Sequence, residues 1–427
     1  MFFDRPESGS RALLVHIEQI DNDSTELREL TVSAGLDPVA CIVARKRYPD
    51  PKTYIGSGKL EEIHVMAEEV GAELVIFDQE LTPAQERNLE RLLKRRVLSR
   101  TGLILEIFAQ RARTHEGKLQ VELAQLDHAS TRLVRGWTHL DRQRGGSGRG
   151  QGSSMGVTGA GETQLEADQR LLGQRMKRIR SRLAKVRNSR SQNRRARKRA
   201  DVRTVSLVGY TNAGKSTLFN RLCESDVHAA DQLFATLDPT QRRLELPVIG
   251  QAVLTDTVGF IRRLPHGLVD AFRATLEEVA EANLLLHVVD ASSDEKDEHI
   301  EQVNAVLAEI DAEDVPQLMV YNKIDLIGEP PRIDYTGDGR PERVWLSAQT
   351  GEGVGLLIEA ISKALSSGVV ETTLRIPPGK GAVRAELFEL GAVLDERTDT
   401  DGTISMHIRI EQDRLDRITT RAGLANG

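Results

Sequence analysis

Residues 209–217 read GYTNAGKST, and the fold follows from how that string is placed. It opens on the last residue of an apolar run, TVSLVG (204–209), and leads into KSTLFNRLCE (215–224), so a strand, a glycine loop and a helix are expected in succession. The pattern G-x-x-x-x-G-K-[ST] is met at Gly209, Gly214, Lys215 and Ser216. Glycines let backbone N–H groups close around phosphate oxygens, and the helix N-terminus adds partial positive charge. Lys215 then neutralises β and γ phosphates, and Ser216 offers a hydroxyl to magnesium.

Strings at the ends of other apolar runs narrow the ligand. NKID places Asn322, Lys323, Ile324 and Asp325 after LMVY (318–321). A carboxylate there can accept N1–H and the 2-amino hydrogens of guanine, whereas adenine would leave it buried and unpaired. SAQTG puts Ser347 and Ala348 after another strand, where a backbone N–H could reach guanine O6. In DTVGF (256–260), Asp256 can hold magnesium through water and Gly259 can offer its N–H to a γ phosphate. In LFATLDPT (233–240), Thr236 is the expected switch hydroxyl and Thr240 its competitor. Ser216, Asp256, Asn322 and Ser347 lie 40, 66 and 25 positions apart in that order. The ordered set resembles the translation-factor-related, Ras-like P-loop GTPases.

The expected nucleotide contacts are therefore Gly209, Tyr210, Thr211, Asn212, Ala213, Gly214, Lys215, Ser216 and Thr217 in the loop. Phe234, Ala235, Thr236, Leu237 and Asp238 join them from the first switch, and Asp256, Thr257, Val258 and Gly259 from the second. Asn322 to Asp325, Ser347 and Ala348 complete the base side. Magnesium falls to Ser216, Thr236 and Asp256, and catalysis to Lys215, Asn212, Thr236 and Gly259. Phe260 stands where related enzymes often carry a water-orienting Gln, and a benzyl group cannot hold a water. Slow intrinsic hydrolysis, stimulated by a partner, is expected. Replacing Phe260 by Ala should then remove no water-orienting group. Asn212 either helps hold a potassium ion, as its counterpart does in GTPases with an apolar residue after Asp-x-x-Gly, or is an ordinary loop residue.

The remaining chain divides by pattern. Length, 427 residues, suggests about three units. Up to residue 112, runs such as ALLVHI (12–17), VACIVA (39–44) and ELVIFD (73–78) alternate with amphipathic stretches, the rhythm of a small parallel α/β domain. Thr82 and Pro83 mark a helix start. Residues 113–200 read as an antiparallel helical hairpin, a coiled coil around a glycine-rich tip. Leu119, Leu123, Leu126 and Leu133 have helical spacing, and Leu165, Leu172, Met176, Ile179, Leu183 and Val186 follow heptad steps. Residues 201–368 form the nucleotide-binding α/β domain, and 369–427 a small α+β domain whose Ile404, Met406, Ile408 and Ile410 alternate after an Asp401-Gly402 turn.

Charge is uneven. Residues 170–200 carry fourteen Lys and Arg and no acid, within a chain of net charge −6, leaving the rest at −20. A polyanion partner is expected, with Arg144, Arg149, Arg178, Arg182 and Lys185 as candidate RNA contacts, although pairing with the acidic remainder would also use the charge. GSGK (56–59) lacks the Walker spacing and reads as a loop touching RNA or a neighbouring domain, against a second nucleotide site. Cys41 and Cys223 build neither a disulfide framework nor a zinc site and are expected as buried thiols. No apolar window reaches the ~18 residues of a membrane span, and a cytoplasmic monomer is expected.

With TYIGSGKLEEI (53–63), GAGETQLEADQRLL (159–172), GYTNAGKSTLFN (209–220) and DTVGFIRRLPH (256–266), most of the chain resembles the HflX family of ribosome-associated GTPases. The resemblance implies GTP and GDP as ligands, binding to the large ribosomal subunit and its rRNA, and stimulation there. It also implies a role in dissociating stalled ribosomes under stress. A GTP-switched binding protein for a non-ribosomal RNA or protein partner is the alternative.

Overall fold

The computed structural model describes residues 9–18, 24–45, 49–144, 164–199, 202–223, 233–234, 236–237, 240–247, 249–261, 276, 278–366, 369–399 and 402–424. It is mixed α/β, as the sequence rhythm predicts. The first sheet is wholly parallel, in the order β2-β1-β3-β4, from β1 (Arg11–Glu18), β2 (Asp37–Arg45), β3 (Leu74–Phe77) and β4 (Arg96–Ser99). Alternate residues of β1 serve opposite faces. Ala12 and Leu14 pack with α1 (Thr25–Ser33) and α4 (Arg100–Arg111), whereas Leu13 and Val15 pack with α2 (Ser57–Glu69) and α3 (Pro83–Leu93). Helices on both faces explain why LVIF in β3 is buried throughout. α3 starts where expected: Thr82 Oγ1 accepts from the Gln85 N–H at 3.3 Å, and Gln85 Oε1 accepts from the Thr82 N–H at 2.9 Å.

Two local expectations change. GSGK is no loop: Gly56 is the N-cap of α2 and Ser57 to Lys59 are its first turn, with Lys59 paired to Glu62 at 2.7 Å. A Cβ at Gly56 or Gly58 would meet nothing within 4 Å, so the glycines are not there for close packing. Cys41 and Cys223 are free but only half-buried.

A buried relay fixes the carboxyl edge of this sheet. His16 Nδ1 lies 2.9 Å from Asp78 Oδ2, Asp78 Oδ1 accepts from Arg100 Nη1 at 2.8 Å, and Arg100 also donates to Glu26 on α1. Burial alone would raise the Asp78 carboxyl, but the hydrogen bonds and charges of His16 and Arg100 outweigh it and the net shift is downward.

The hairpin is antiparallel. From α5 (His115–Arg144), Leu119 packs on Ile179 and Leu183 of α6 (Gln164–Arg199), and Glu122 meets Arg175 at 2.6 Å. β5 (Arg203–Gly209) begins four positions after α6 ends. It sits inside a seven-stranded sheet of order β10-β11-β9-β8-β5-β7-β6, made by β6 (Thr240–Leu246), β7 (Gly250–Asp256), β8 (Leu284–Asp290), β9 (Gln317–Asn322), β10 (Arg332–Tyr335) and β11 (Pro341–Trp345). The sequence rhythm passes over β4, β6 and β10. β4 and β10 span four residues each, and β6, TQRRLEL, is a charged antiparallel edge that buries only Leu244 and Leu246. Among the described residues this unit also holds α7 (Lys215–Cys223), α8 (Lys296–Glu309), α9 (Ile324–Ile327) and α10 (Val354–Leu365).

The last unit orders β12 (Val369–Ile376), β14 (Ile404–Glu411) and β13 (Val393–Thr398) antiparallel, with α11 (Gly381–Glu389) and α12 (Gln412–Ala422) packed on one face. Met406, Ile408 and Ile410 are buried and Gly402 turns with φ 80°, while Asp401 lies outside the described residues. Among the described residues no helix is long and apolar enough to cross a membrane.

The largest hydrophobic cluster crosses a domain boundary: Leu30 of α1 and Phe108 of α4 share it with Val208, Tyr210, Phe234 and Phe260. Arg100 and Asp78 hold the α1 side of that contact. Asp78→Ala would leave the Arg100 guanidinium short of one buried partner and should cost about 3–5 kcal/mol. Urea unfolding followed through the first sheet should show a lower midpoint. Because the Asp78 pKa is lowered on folding, its contribution is present at neutral pH and fades as pH falls through the carboxylate range.

Candidate nucleotide site

The loop between β5 and α7 wraps one side of an open cavity of about 530 Å³. Its two glycines are required by contact. A Cβ on Gly209 would lie 2.2 Å from the Val288 carbonyl of β8, and one on Gly214, at φ 91°, 2.2 Å from Asn322 Nδ2. Asn212 sits at the crest with φ 62°, a left-handed conformation that Asn tolerates better than most residues. Lys215, buried, donates from Nζ to the Tyr210 carbonyl at 2.6 Å. Burial pushes its pKa down to about 8, with Asp256 pulling the other way.

Ser216, Thr236 and Asp256 converge. Ser216 Oγ lies 2.7 Å from Thr236 Oγ1, and each hydroxyl is 2.8 Å from Asp256 Oδ2. The other carboxylate oxygen, Oδ1, is buried with no hydrogen-bond partner. Burial raises the Asp256 carboxyl above its ordinary range, against the two hydroxyls that favour its charge. Two hydroxyls beside a carboxylate with an unsatisfied oxygen are the hard donor set that suits magnesium. Thr240 instead opens β6, opposite Asp256 in the ladder.

On the base side, Asn322 is buried and bonded at both ends of its amide: Nδ2 donates to the Ala213 carbonyl and Oδ1 accepts from the Ala348 N–H, both at 2.9 Å. Lys323 pairs with Asp290 at 2.7 Å, and Asp325 is exposed on the cavity wall. The Ser347 N–H is taken by the Glu352 carbonyl. A guanine O6 would therefore have to share the Ala348 donor or use that of Gln349. Gln349 and Leu326 line the cavity and were not anticipated. Nor was Arg221, whose guanidinium donates to the Ala348 and Gln349 carbonyls at 3.3 and 2.6 Å and braces this loop from α7. A helix arginine five residues after Ser216 gives no local sequence signal of that reach.

Of the anticipated contacts, Thr211, Asn212, Gly214, Lys215, Ser216, Thr217, Phe234, Thr236, Thr257, Gly259, Asn322, Lys323, Asp325 and Ala348 line the cavity. Gly209, Tyr210, Ala213, Leu237, Asp256, Val258, Ile324 and Ser347 stand behind its wall. Ala235, Asp238 and Arg149, and the Arg144 side chain, lie outside the described residues. Arg178, Arg182 and Lys185 are exposed on α6, apart from the cavity.

Phe260 faces away from the cavity. It is buried in the cluster shared between domains, and its backbone pairs with the loop: Thr211 N–H to Phe260 O at 2.8 Å, Phe260 N–H to Gly209 O at 3.2 Å. Phe260→Ala, expected to leave the basal rate within about tenfold because no water-orienting group is lost, would also truncate a buried side chain, which typically costs about 3–5 kcal/mol of stability. Gly259, next to it, is held so close that a Cβ would lie 2.7 Å from Thr211 Cγ2 and 3.1 Å from Lys215 Nζ.

Lys215 ties nucleotide affinity to pH. Without nucleotide it loses its proton near pH 8, whereas a phosphate beside it favours the charged form. Binding above that pH must take up a proton, so GDP affinity should be flat below about pH 7.5 and weaken by up to about tenfold per unit above pH 8. Calorimetry at about pH 8.5 in two buffers of different ionisation heat should register the uptake. An affinity that stays constant to about pH 9 would contradict this assignment.

Known proteins place these features together. Family profiles match in chain order: "GTP-binding GTPase N-terminal" over residues 21–109, "GTP-binding GTPase Middle Region" over 111–197, "50S ribosome-binding GTPase" over 204–323 and "HflX C-terminal domain" over 334–426. The GTPase HflX of Escherichia coli (strain K12) is 54% identical over 413 residues, covering 96% of this chain and 95% of the relative. That of Magnetococcus marinus is 46% identical over 379 residues, covering 88% and 86%. A solved structure described as "crystal structure of SsGBP and GDP complex" is 25% identical, with 84% of this chain and 99% of that one aligned at a TM-score of 0.48. The chain belongs to the HflX family and is a GTP-hydrolysing enzyme.

Proposed function

We propose that this GTPase acts in the cytoplasm as a monomer on the large ribosomal subunit, hydrolysing GTP slowly alone and faster when bound there, and that the cycle dissociates or rescues stalled ribosomes under stress. The observation that carries the reading is the outer surface of α6. Arg178, Arg182 and Lys185 are exposed at successive turns with no carboxylate partner among the described residues, on a helix that ends four positions before β5. Fourteen cations without an acid in residues 170–200 suit a phosphate backbone, whose counterions they would release. The family profile that residues 204–323 match is described as a 50S ribosome-binding GTPase.

In this reading, Ser216, Thr236 and Asp256 hold a magnesium ion, which when bound offsets the charge of the β and γ phosphates. Lys215 exchanges its bond to the Tyr210 carbonyl for phosphate oxygens, and the Gly259 N–H faces the γ phosphate. Asp325 accepts from guanine, and Asn322 holds the base loop and the phosphate loop in register. No side chain at position 260 orients the attacking water, so that task falls to the ribosome, a contribution that partners in this enzyme class supply at ~10³ to 10⁵ in rate. Asn212, at the crest of the loop, would add a ligand for potassium.

Hydrolysis should accordingly run faster in potassium than in sodium chloride at equal ionic strength, and Asn212→Asp or Asn212→Ala should blunt the difference. Equal rates in both salts would remove Asn212 from the reaction. Co-sedimentation with purified subunits tests the partner. The chain loaded with a non-hydrolysable GTP analogue should pellet with large subunits more than with small ones. Reversing Arg178, Arg182 and Lys185 together should weaken the association and flatten its dependence on log salt by roughly three phosphate contacts. Retention of binding by that variant, or pelleting indifferent to the subunit, would count against this function.

A further inference from the structure

The first switch is not held by the nucleotide-binding domain alone. Ser33, the last residue of α1 in the N-terminal domain, is buried, and its Oγ accepts a hydrogen bond from the Leu233 backbone N–H at 2.9 Å. The next residue, Phe234, has φ 56°, a left-handed conformation that is costly for a bulky aromatic residue and needs surrounding structure to hold it. That structure is again N-terminal: the Phe234 ring meets Phe108 of α4 edge-on, centroids 4.7 Å apart at 84°, and both rings are buried. Two residues further on, Thr236 Oγ1 stands 2.7 Å from Ser216 Oγ and 2.8 Å from Asp256 Oδ2. A backbone pinned at Leu233 and a side chain pinned at Phe234 leave Thr236 little freedom to swing away.

We infer that Ser33 and Phe108 are positioning residues for Thr236, so that the N-terminal domain pre-sets the hydroxyl on which the triphosphate state depends. The inference rests on the reading of Thr236 as a magnesium-side group of GTP. Lys215 and Ser216 serve GDP and GTP alike, whereas a switch hydroxyl is engaged only with a γ phosphate present. Fixing it beforehand lowers the ordering cost of binding GTP and leaves GDP unaffected. By linkage, GTP then strengthens the seat of the N-terminal domain on the switch, and GDP does not.

Affinities for a non-hydrolysable GTP analogue and for GDP, measured by displacement of a fluorescent nucleotide at fixed magnesium, separate the possibilities. Ser33→Ala should weaken the analogue about three- to tenfold, the worth of one buried hydrogen bond, and leave GDP within about twofold. Ser33→Thr, which keeps the hydroxyl, should restore most of the loss, and Phe108→Leu should reproduce the pattern of Ser33→Ala. Thr236→Ala should weaken the analogue as well, and adding Ser33→Ala to it should cause little further loss. If Ser33→Ala changes neither affinity, or both equally, while Thr236→Ala acts on the analogue alone, the positioning role is wrong and the reading of Thr236 stands. If Thr236→Ala also spares the analogue, that reading falls and the inference falls with it.

Discussion

The side-chain amide of Asn322 lies at the meeting of three strand ends, and the geometry of the nucleotide cavity depends on it. Its nitrogen holds the carbonyl of Ala213 in the phosphate loop and its oxygen holds the N–H of Ala348 in the base loop. A buried amide bonded at both ends is a spacer of fixed length, because losing either partner leaves a polar atom unsatisfied in a dry place. Gly214 accepts the consequence by carrying no Cβ where the amide passes. Arg221 supports the same base loop from outside, so the loop is pinned from both the core and the helix.

Around this fixed point the phosphate side is built from groups whose charges are out of balance. Lys215 and Asp256 are both buried, and burial pushes each toward its neutral form. Asp256 retains an oxygen without a partner, and Lys215 settles for a backbone carbonyl. Anions and a hard cation would relieve both at once. That is a physical reason for phosphate and magnesium to bind together here and not separately.

The chemistry of this site was legible in the sequence because it resides in short strings at strand ends. GYTNAGKST, DTVGF and NKID each carry their donors and acceptors within a few residues of a strand end, and in the first two glycines shape the turn. The parallel strands were legible for a similar reason, since burial on both faces leaves nearly continuous apolar runs such as LLLHVVD. What escaped notice depends on long-range contact. Arg221 reaches a loop more than a hundred positions away, and Ser33 meets Leu233 across two hundred. GSGK reads as a loop because of its glycines, while in the structure Gly56 serves as a helix cap. β6 escaped because an edge strand needs only one apolar face and can fill the other with charge.

The burial of Phe260 constrains what can take its place. Its backbone pairs with the phosphate loop and its ring belongs to a core shared by two domains. A glutamine arriving there by chance would not swing toward the γ phosphate. It would occupy the ring's place, with an amide among apolar side chains at a cost of about 1–3 kcal/mol. One substitution at position 260 therefore does not present an amide to the nucleotide cavity, and the core shared by the two domains would have to be rebuilt along with the residue.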